Sequence, residues 1–323
     1  MPTAIRIQRT GGPEVLEPAE VDPGEPGPGQ VLVDVAAAGV NYIDTYQRSG
    51  IYPVDLPYVP GLEGAGTVAA VGAGVTDVSV GDRVAWQGSP GGYAARTLVP
   101  ADIVVRVPHG VSDEVAAATL LQGVTAHYLV NSTYPVRAGE TILVHAAAGG
   151  VGLLLTQLAK AKGARVIGTV STEEKERLAR EAGADEVIRY TERDFTEAVR
   201  ELTGGEGVAV VYDGVGKSTV EGSLDSLRVR GMLALFGASS GPVPPIDPQR
   251  LNAGGSLFLT RPKTGDYLRD RAELEWRTGE LLAAVADGSL RIRVGGRYPL
   301  TEARQAHEDL EGRRTTGKVL LLP

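Results

Sequence analysis

Hydrophobic and polar positions change rhythm partway along the chain. In the first third the apolar residues come in short β-prone runs: VLVDVAAAG (31–39), GTVAAV (66–71), GDRVAW (81–86) and IVVRVP (103–108). Gly/Pro punctuation separates them, as in DPGEPGPG (22–29) and the region from Pro53 to Gly66. SDEVAAATLLQGVTAHYLV (112–130) then reads as a helix, with Ser112 as N-cap and acids in its first turn. From Thr141 the pattern becomes strand, helix, strand, helix. TILVHA (141–146) is a compact apolar strand, and in the helix after it Val151, Leu154, Leu155 and Leu158 share one face up to a stop at Gly163. RVIGTV (165–170), EVIRY (186–190), VAVVYDG (208–214), MLALFG (232–237) and SLFLT (256–260) are further buried-strand candidates, the first followed by the charged helix TEEKERLAREAG. The tail carries helical patterns around 267–287 and 301–312, and GKVLLL (317–322) as a last strand.

Such alternation predicts a parallel, doubly wound sheet in the middle of the chain, after a β-rich region that ends near residue 124. A length of 323 residues fits about two domains. Gly (43) and Pro (20) are abundant but spread out, so tight turns are expected rather than a low-complexity segment. The net charge of −8 disfavours non-specific nucleic-acid binding, and any nucleotide phosphate must be held by a local site against the global field. With no cysteine, disulfides and Cys-ligated zinc are excluded. The N-terminal MPTAIRIQRTGGPE has no apolar signal core, and no stretch reaches the roughly 18 apolar residues of a membrane span. A cytoplasmic setting without membrane association is expected.

The stretch HAAAGGVG (145–152) lies between a strand and a helix. Ala147-x-Gly149-x-x-Gly152 is the dinucleotide fingerprint with Ala in its first slot. Small residues permit the tight turn, backbone N–H groups can approach a pyrophosphate, and the last Gly lets helix and strand pack closely. A Gly pattern alone is weak in a Gly-rich chain; its strand-to-helix placement gives it meaning. An NAD site has an acid at the end of the second strand. Here that position reads Gly168-Thr169-Val170-Ser171-Thr172, with Lys175 one turn on, which suits the 2′-phosphate of NADPH. The competing reading makes Ser171 and Glu174 a capping box and Lys175 a solvated helix lysine. No carboxylate lies three or four residues from Lys175 to explain it as a helix ion pair. Gly216-Lys217-Ser218 ends like a P-loop, but the pattern requires Gly where Val211 stands.

Several motifs together resemble the zinc-free quinone oxidoreductase (zeta-crystallin-like) branch of the medium-chain dehydrogenase/reductases: GGPEVL (11–16), GVNYIDTYQRSGIYP (39–53), the run Gly139 to Lys160, and TTGKVLLLP (315–323). That family's signature around the cofactor turn is present as Glu140, Leu143, Ala147 to Gly152, Gln157 and Lys160. The resemblance implies a GroES-like β-rich catalytic domain (1–124 and 263–323) and an inserted Rossmann domain (125–262), with the cofactor between them. It implies that Asn41, Ile43 and Tyr46 line the nicotinamide pocket and that Gly150 and Val151 meet the pyrophosphate. Ser171, Lys175 and Tyr190 would surround the 2′-phosphate. Phe236, Gly237 and Ser239 would contact the nicotinamide side, with Arg313 nearby. Core packing is the competing reading for Tyr190 and Phe236. A homodimer through an edge strand at 256–262 is implied as well. Zinc-dependent relatives place Cys where Asn41 stands and His where Leu62 stands; Glu63 remains, as a structural hydrogen-bonding residue.

The remaining chemistry is sparse. His109, His127, His145 and His307 form no ligand spacing, and no Tyr-x-x-x-Lys occurs. Direct hydride transfer needs little more than a reduced nicotinamide and an electron-poor acceptor held close and dry. A quinone suits this because hydride capture yields a stabilised phenolate. Asn41 is the candidate hydrogen-bond donor to the acceptor oxygen, and Tyr46 or Tyr52 the candidate for ring stacking or proton relay. For Tyr52, packing beside Pro53 is the competing reading. The alternatives are reduction of an enone or enal double bond, and NADPH binding without turnover.

Overall fold

The computed structural model describes residues 3–323, which divide into two compact units: one built from the chain up to Val124 with Leu268–Pro323, the other Thr125–Tyr267.

The first unit is organised by the long strand Gln30–Val40. It pairs antiparallel with Glu63–Val71, with Arg96–Pro100 and with the C-terminal strand Lys318–Leu322. Sheet order runs Val294–Pro299, Lys318–Leu322, Gln30–Val40, Glu63–Val71, Arg83–Gln87, Val105–Arg106, and only the first pair is parallel. Register shifts at Leu32/Val33 and Val35/Ala37 bend the long strand so that it can serve several partners. Val31, Val33, Val68, Val84, Trp86 and Val99 fill one core. Ala37, Ala65 and Ala85 line another, where small side chains admit Ala116, Ala117, Leu274 and Leu282 from helices.

The structure departs from the sequence pattern in instructive places. Of IVVRVP only Val105–Arg106 is strand, since Ala101–Ile103 forms a 3-10 turn and Pro108 offers no amide to a ladder. The helix expected over 112–130 breaks into Asp113–Ala117 and Leu120–Tyr128, followed by a π turn at Leu129–Thr133. Ser112 does cap the first piece, accepting from Val115 N. At the break, the Leu121 N–H donates to Glu63 Oε1 at 2.7 Å, so a buried carboxylate takes an amide at the start of the second helix. A short helix, Tyr42–Ser49, lies between N-cap Asn41 and Gly50, whose φ of 83° closes it.

The second unit is a six-stranded parallel sheet in the order Glu186–Arg189, Arg165–Val170, Thr141–Val144, Val208–Asp213, Leu227–Leu235, Phe258–Thr260. Counted along the chain this is the doubly wound order 3-2-1-4-5-6, which reverses direction beside the first strand. Ligands bind such sheets at the carboxyl ends of the strands flanking that point. Leu143, Ile167, Val211 and Leu233 pack the core beneath it.

Candidate functional site

In the second unit Ala147, Ser171, Tyr190 and Phe236 each stand just beyond a strand's carboxyl end. Thr141–Val144 leads into the turn, and the helix Gly150–Ala161 begins after Gly149 with no side-chain cap and no acid in its first turn. Its leading amides are therefore open to an anion, and Gly149, Gly150 and Val151 are partly exposed. The buried small residues set the geometry. A Cβ on Gly152 would lie 2.3 Å from the Ala146 carbonyl oxygen, and one on Gly168 would lie 2.8 Å from Ala147 Cβ. Ala147 and Gly152 thus let the helix sit against the turn, where Gly149 N donates to Ala146 O at 2.8 Å, leaving Gly150 and Val151 to present their amides. These residues fit a dinucleotide pyrophosphate.

Ser171 follows Arg165–Val170. The cap of the next helix is Thr172, which accepts from Lys175 N, so the capping-box alternative for Ser171 does not describe this turn. Tyr190 N donates to Val170 O at 3.1 Å, which brings Tyr190 beside Ser171. Tyr190 is 41% exposed and is not a core aromatic. Phe236 and Gly237 donate backbone bonds to Asp213 O, and Ser239 donates to Gly214 O, lacing two strand ends together. A Cβ on Gly237 would lie 2.5 Å from Gly214 O.

One buried chain joins these ends. Asp213 Oδ1 accepts from Val215 N and Gly216 N at 2.8 and 2.9 Å; Oδ2 accepts from Thr219 and Ser223 hydroxyls, both at 2.8 Å. Because the Ser223 hydrogen is given to Asp213, Ser223 Oγ must accept from His145 Nε2 at 3.0 Å. His145 Nδ1 then accepts from Thr169 Oγ1 at 2.8 Å. Burial lowers the His145 pKa and favours this neutral form, partly opposed by Asp213. Ser, His and Asp occur together here, but the carboxylate binds the serine and not the histidine. The order of a nucleophilic triad is absent.

The first unit gathers a different set. Asn41, Glu63 and Lys318 are buried, and Lys318 forms an ion pair with Glu63 Oε2. Lys318 Nζ also donates to Asn41 Oδ1 at 2.8 Å, and Asn41 Nδ2 donates to Glu63 Oε2 at 3.0 Å and Gly39 O at 3.3 Å. Gln122 Nε2 donates to Asn41 Oδ1 at 3.2 Å. Both Asn41 amide hydrogens are thus taken within the protein, so donation to an acceptor oxygen requires breaking one of these bonds. A metal ligated here does not fit: Asn41 and Leu62 offer no Cys or His, and an ammonium already occupies the carboxylate. Among the described residues no cluster of three or more His, Asp or Glu could hold a metal ion.

A second buried relay abuts the first. Asn41 N donates to Asp44 Oδ2 at 2.8 Å, as does the Tyr93 hydroxyl at 3.0 Å. Tyr93 Oη lies 3.0 Å from His307 Nε2, and His307 Nδ1 lies 3.0 Å from Arg48 Nη1. Arg48 can only donate, so neutral His307 carries its hydrogen on Nε2 and the bonds run from Arg48 to His307 to Tyr93 to Asp44. Glu311 binds Arg48 through two oxygens. Burial raises the Asp44 pKa to about 7 and, with Arg48, lowers that of His307 to about 3. The helix and the turn after it also gather aromatics: Tyr46 of the helix and Tyr52 of the turn meet edge to face at 5.4 Å, with Tyr42 6.1 Å from Tyr46. Ile43 and Tyr46 are partly exposed. Tyr52 is 40% exposed and donates its N–H to Tyr46 O. Arg313, at φ 57°, follows Leu310, whose carbonyl accepts from Tyr42 Oη at 3.2 Å.

Sequence reasoning missed Lys318, Gln122, Asp44, Tyr93 and His307. A lysine opening the otherwise apolar strand KVLLL was the available signal for the first; the others join only through tertiary contact.

Residues 27–109 match a family profile described as an alcohol dehydrogenase GroES-like domain, and residues 150–263 one described as a zinc-binding dehydrogenase. A quinone oxidoreductase of Pseudomonas aeruginosa is 48% identical, covering 100% of both chains. The crystal structure of Escherichia coli quinone oxidoreductase complexed with NADPH superposes with a TM-score of 0.97 at 45% identity, covering 99% of this chain and 100% of that one. A 2-haloacrylate reductase from a Burkholderia species is 45% identical, covering 100% of this chain and 99% of its own.

Proposed function

Since the chain belongs to the quinone oxidoreductase branch of the medium-chain dehydrogenase/reductase family, we propose that it is an NADPH-dependent reductase of quinones that works without a metal. The observation that carries the reading is the uncapped, acid-free turn Ala147–Gly152 at the point where strand order reverses, in a chain similar over its whole length to such enzymes. NADPH, when bound, supplies a hydride; a quinone that takes it up becomes a hydroquinone anion and needs one proton.

The protein's own residues then divide the work. Gly150 and Val151 offer backbone N–H groups to the pyrophosphate, beside Gly149, whose own N–H goes to Ala146 O. Ser171, Lys175 and Tyr190 surround the 2′-phosphate, with Lys175 supplying charge. Phe236, Gly237 and Ser239 support the nicotinamide side, and Arg313 lies near the cofactor. Ile43, Tyr46 and Tyr52 form an aromatic and apolar surface for a flat acceptor. Asn41 acts by being held rather than by donating.

The chain is read as a homodimer that pairs through the edge strand Phe258–Thr260, where Phe258 is exposed, and as a cytoplasmic protein. No described helix is long and apolar enough to cross a membrane.

The test is NADPH oxidation by purified protein with a simple quinone, beside NADH and beside an enone and a 2-haloacrylate. Turnover of quinone with NADPH and little with NADH is expected. Turnover confined to the double-bond substrates would transfer the reading to a double-bond reductase, and equal use of NADH would remove the Ser171/Lys175 assignment.

A further inference from the structure

The amide at the centre of the charged cluster has one permitted orientation, and this decides what its neighbour offers. Lys318 has only hydrogens to give, and gives them to Asn41 Oδ1 and Glu63. Asn41 Nδ2 faces only acceptors, Glu63 Oε2 and Gly39 O. Turning the carboxamide over would set donor against donor and acceptor against acceptor. Asn41 Oδ1 is therefore what Gln122 meets, so Gln122 must present Nε2 to it. Its Oε1 is left shut off from solvent with no partner, in a side chain that is otherwise partly exposed. An enclosed carbonyl oxygen without a donor is costly, and few are kept in native structures. Bulk water does not reach it, so the missing donor must be brought by something that displaces the groups covering it.

We propose that Gln122 is a ligand-contact residue whose Oε1 accepts a hydrogen bond from an N–H or O–H group of a bound ligand, and that Lys318 is the positioning residue that sets this polarity through Asn41. The inference rests on the oxidoreductase reading, which supplies two such donors: the carboxamide N–H of the nicotinamide and the O–H of a hydroquinone.

Gln122→Met keeps the side-chain length and removes both polar atoms. NADPH alone is titrated by its fluorescence, turnover of 1,4-benzoquinone is followed at saturating NADPH, and urea unfolding reports the fold. A roughly tenfold weaker NADPH Kd would assign the bond to the cofactor. An unchanged Kd, with inhibition of that turnover by added hydroquinone weakened about tenfold, would assign it to the O–H of the product. Both quantities within about twofold of the parent would overturn the proposal.

Gln122→Glu supplies a pH signature and decides alone if the Met variant does not fold. Its protonated carboxyl can donate to Asn41 and still present a carbonyl, whereas its carboxylate cannot donate. The affected quantity should stand near the parent value at low pH and worsen as pH rises; a defect independent of pH would overturn the polarity argument. Glu63→Gln with Lys318→Met frees the Asn41 amide to turn and should weaken the same ligand by about tenfold, and parent affinity in that variant would remove the role of Lys318. A parent protein that binds NADPH but reduces no quinone would sink the functional reading and leave the cofactor arm intact. One that binds no NADPH and reduces no quinone would sink both.

Discussion

Both units bury a chain of polar side chains among residues that carry the proposed chemistry, but one chain is held by formal charges and the other by hydroxyls and backbone amides. Around Asn41 the members are Lys318, Glu63, Asp44, Arg48 and Glu311, each charge answered by another or by burial of its proton. Around His145 the sole carboxylate, Asp213, is surrounded by two amides and two hydroxyls. Hydroxyl hydrogens can rotate to suit a changed partner; an ammonium and a guanidinium cannot accept at all. The charged cluster therefore fixes orientation rigidly and is intolerant of losing one member, while the hydroxyl cluster fixes position and tolerates rearrangement.

The largest expected effect tests that intolerance. Lys318→Met leaves Glu63 buried without its cation and should cost about 3–5 kcal/mol in urea unfolding. Adding Glu63→Gln should restore much of it, and a double variant as unstable as the single one would contradict the account. Gly152→Ala comes next: a methyl 2.3 Å from Ala146 O must push the helix from the turn, costing about 1–3 kcal/mol and, in an NADPH titration, much of the affinity. Asp213→Ala should cost a comparable ~1–3 kcal/mol by orphaning two amides, with Asp213→Asn distinctly milder because Ser223 and Thr219 can turn to accept. Equal losses would mean that the second cluster is as rigid as the first.

The smallest effect is a pH slope. Asp44, at about 7 in the folded chain, keeps a proton that the unfolded chain, with its carboxyl near 3.8, has already released. Between those values the native state binds more protons, so this contribution to stability is full at the acid end and is lost as pH rises to about 7. Subtracting the pH profile of Asp44→Asn from that of the parent should expose a falling limb of at most about 1.4 kcal/mol per pH unit. A flat difference would place the carboxylate, not the acid, in the relay. His145 should give the opposite limb: burial lowers its pKa in the folded chain, so below about 6.5 the unfolded chain binds the extra proton, and parent minus His145→Gln should rise with pH where the Asp44 difference falls.

The same contrast explains what could be read from the chain. The parallel sheet and its turn were legible because HAAAGGVG and the strands around it are local: each residue acts through neighbours in sequence. Tyr46 and Tyr52 were legible as aromatics, and their edge-to-face contact follows from one short helix and the turn at Gly50 that folds Tyr52 back onto it. Asn41 stood out in the sequence as a hydrogen-bond donor to an acceptor, whereas in the fold its hydrogens go to Glu63 and Gly39. That could not be foreseen, because Lys318 reaches it from the far end of the chain. The break in the helix expected over 112–130 has the same origin, in a carboxylate from Glu63 that no helical period announces.

The place of Lys318–Leu322 in its sheet bears on how the protein is made. This strand sits between Val294–Pro299 and Gln30–Val40, so the interior of the sheet is completed by a strand synthesised after the whole second unit. Throughout translation of Thr125–Tyr267 the nascent first unit holds Gln30–Val40 with its Ala38–Val40 end unpaired on the side that Arg96–Pro100 does not cover, and Glu63 without its ammonium. The parallel unit has no such debt to later sequence and can fold as it emerges, as domains do on the ribosome. An unpaired apolar edge is a site for association with other chains. Newly made protein should therefore be most dependent on chaperones in the interval before Lys318–Leu322 arrives.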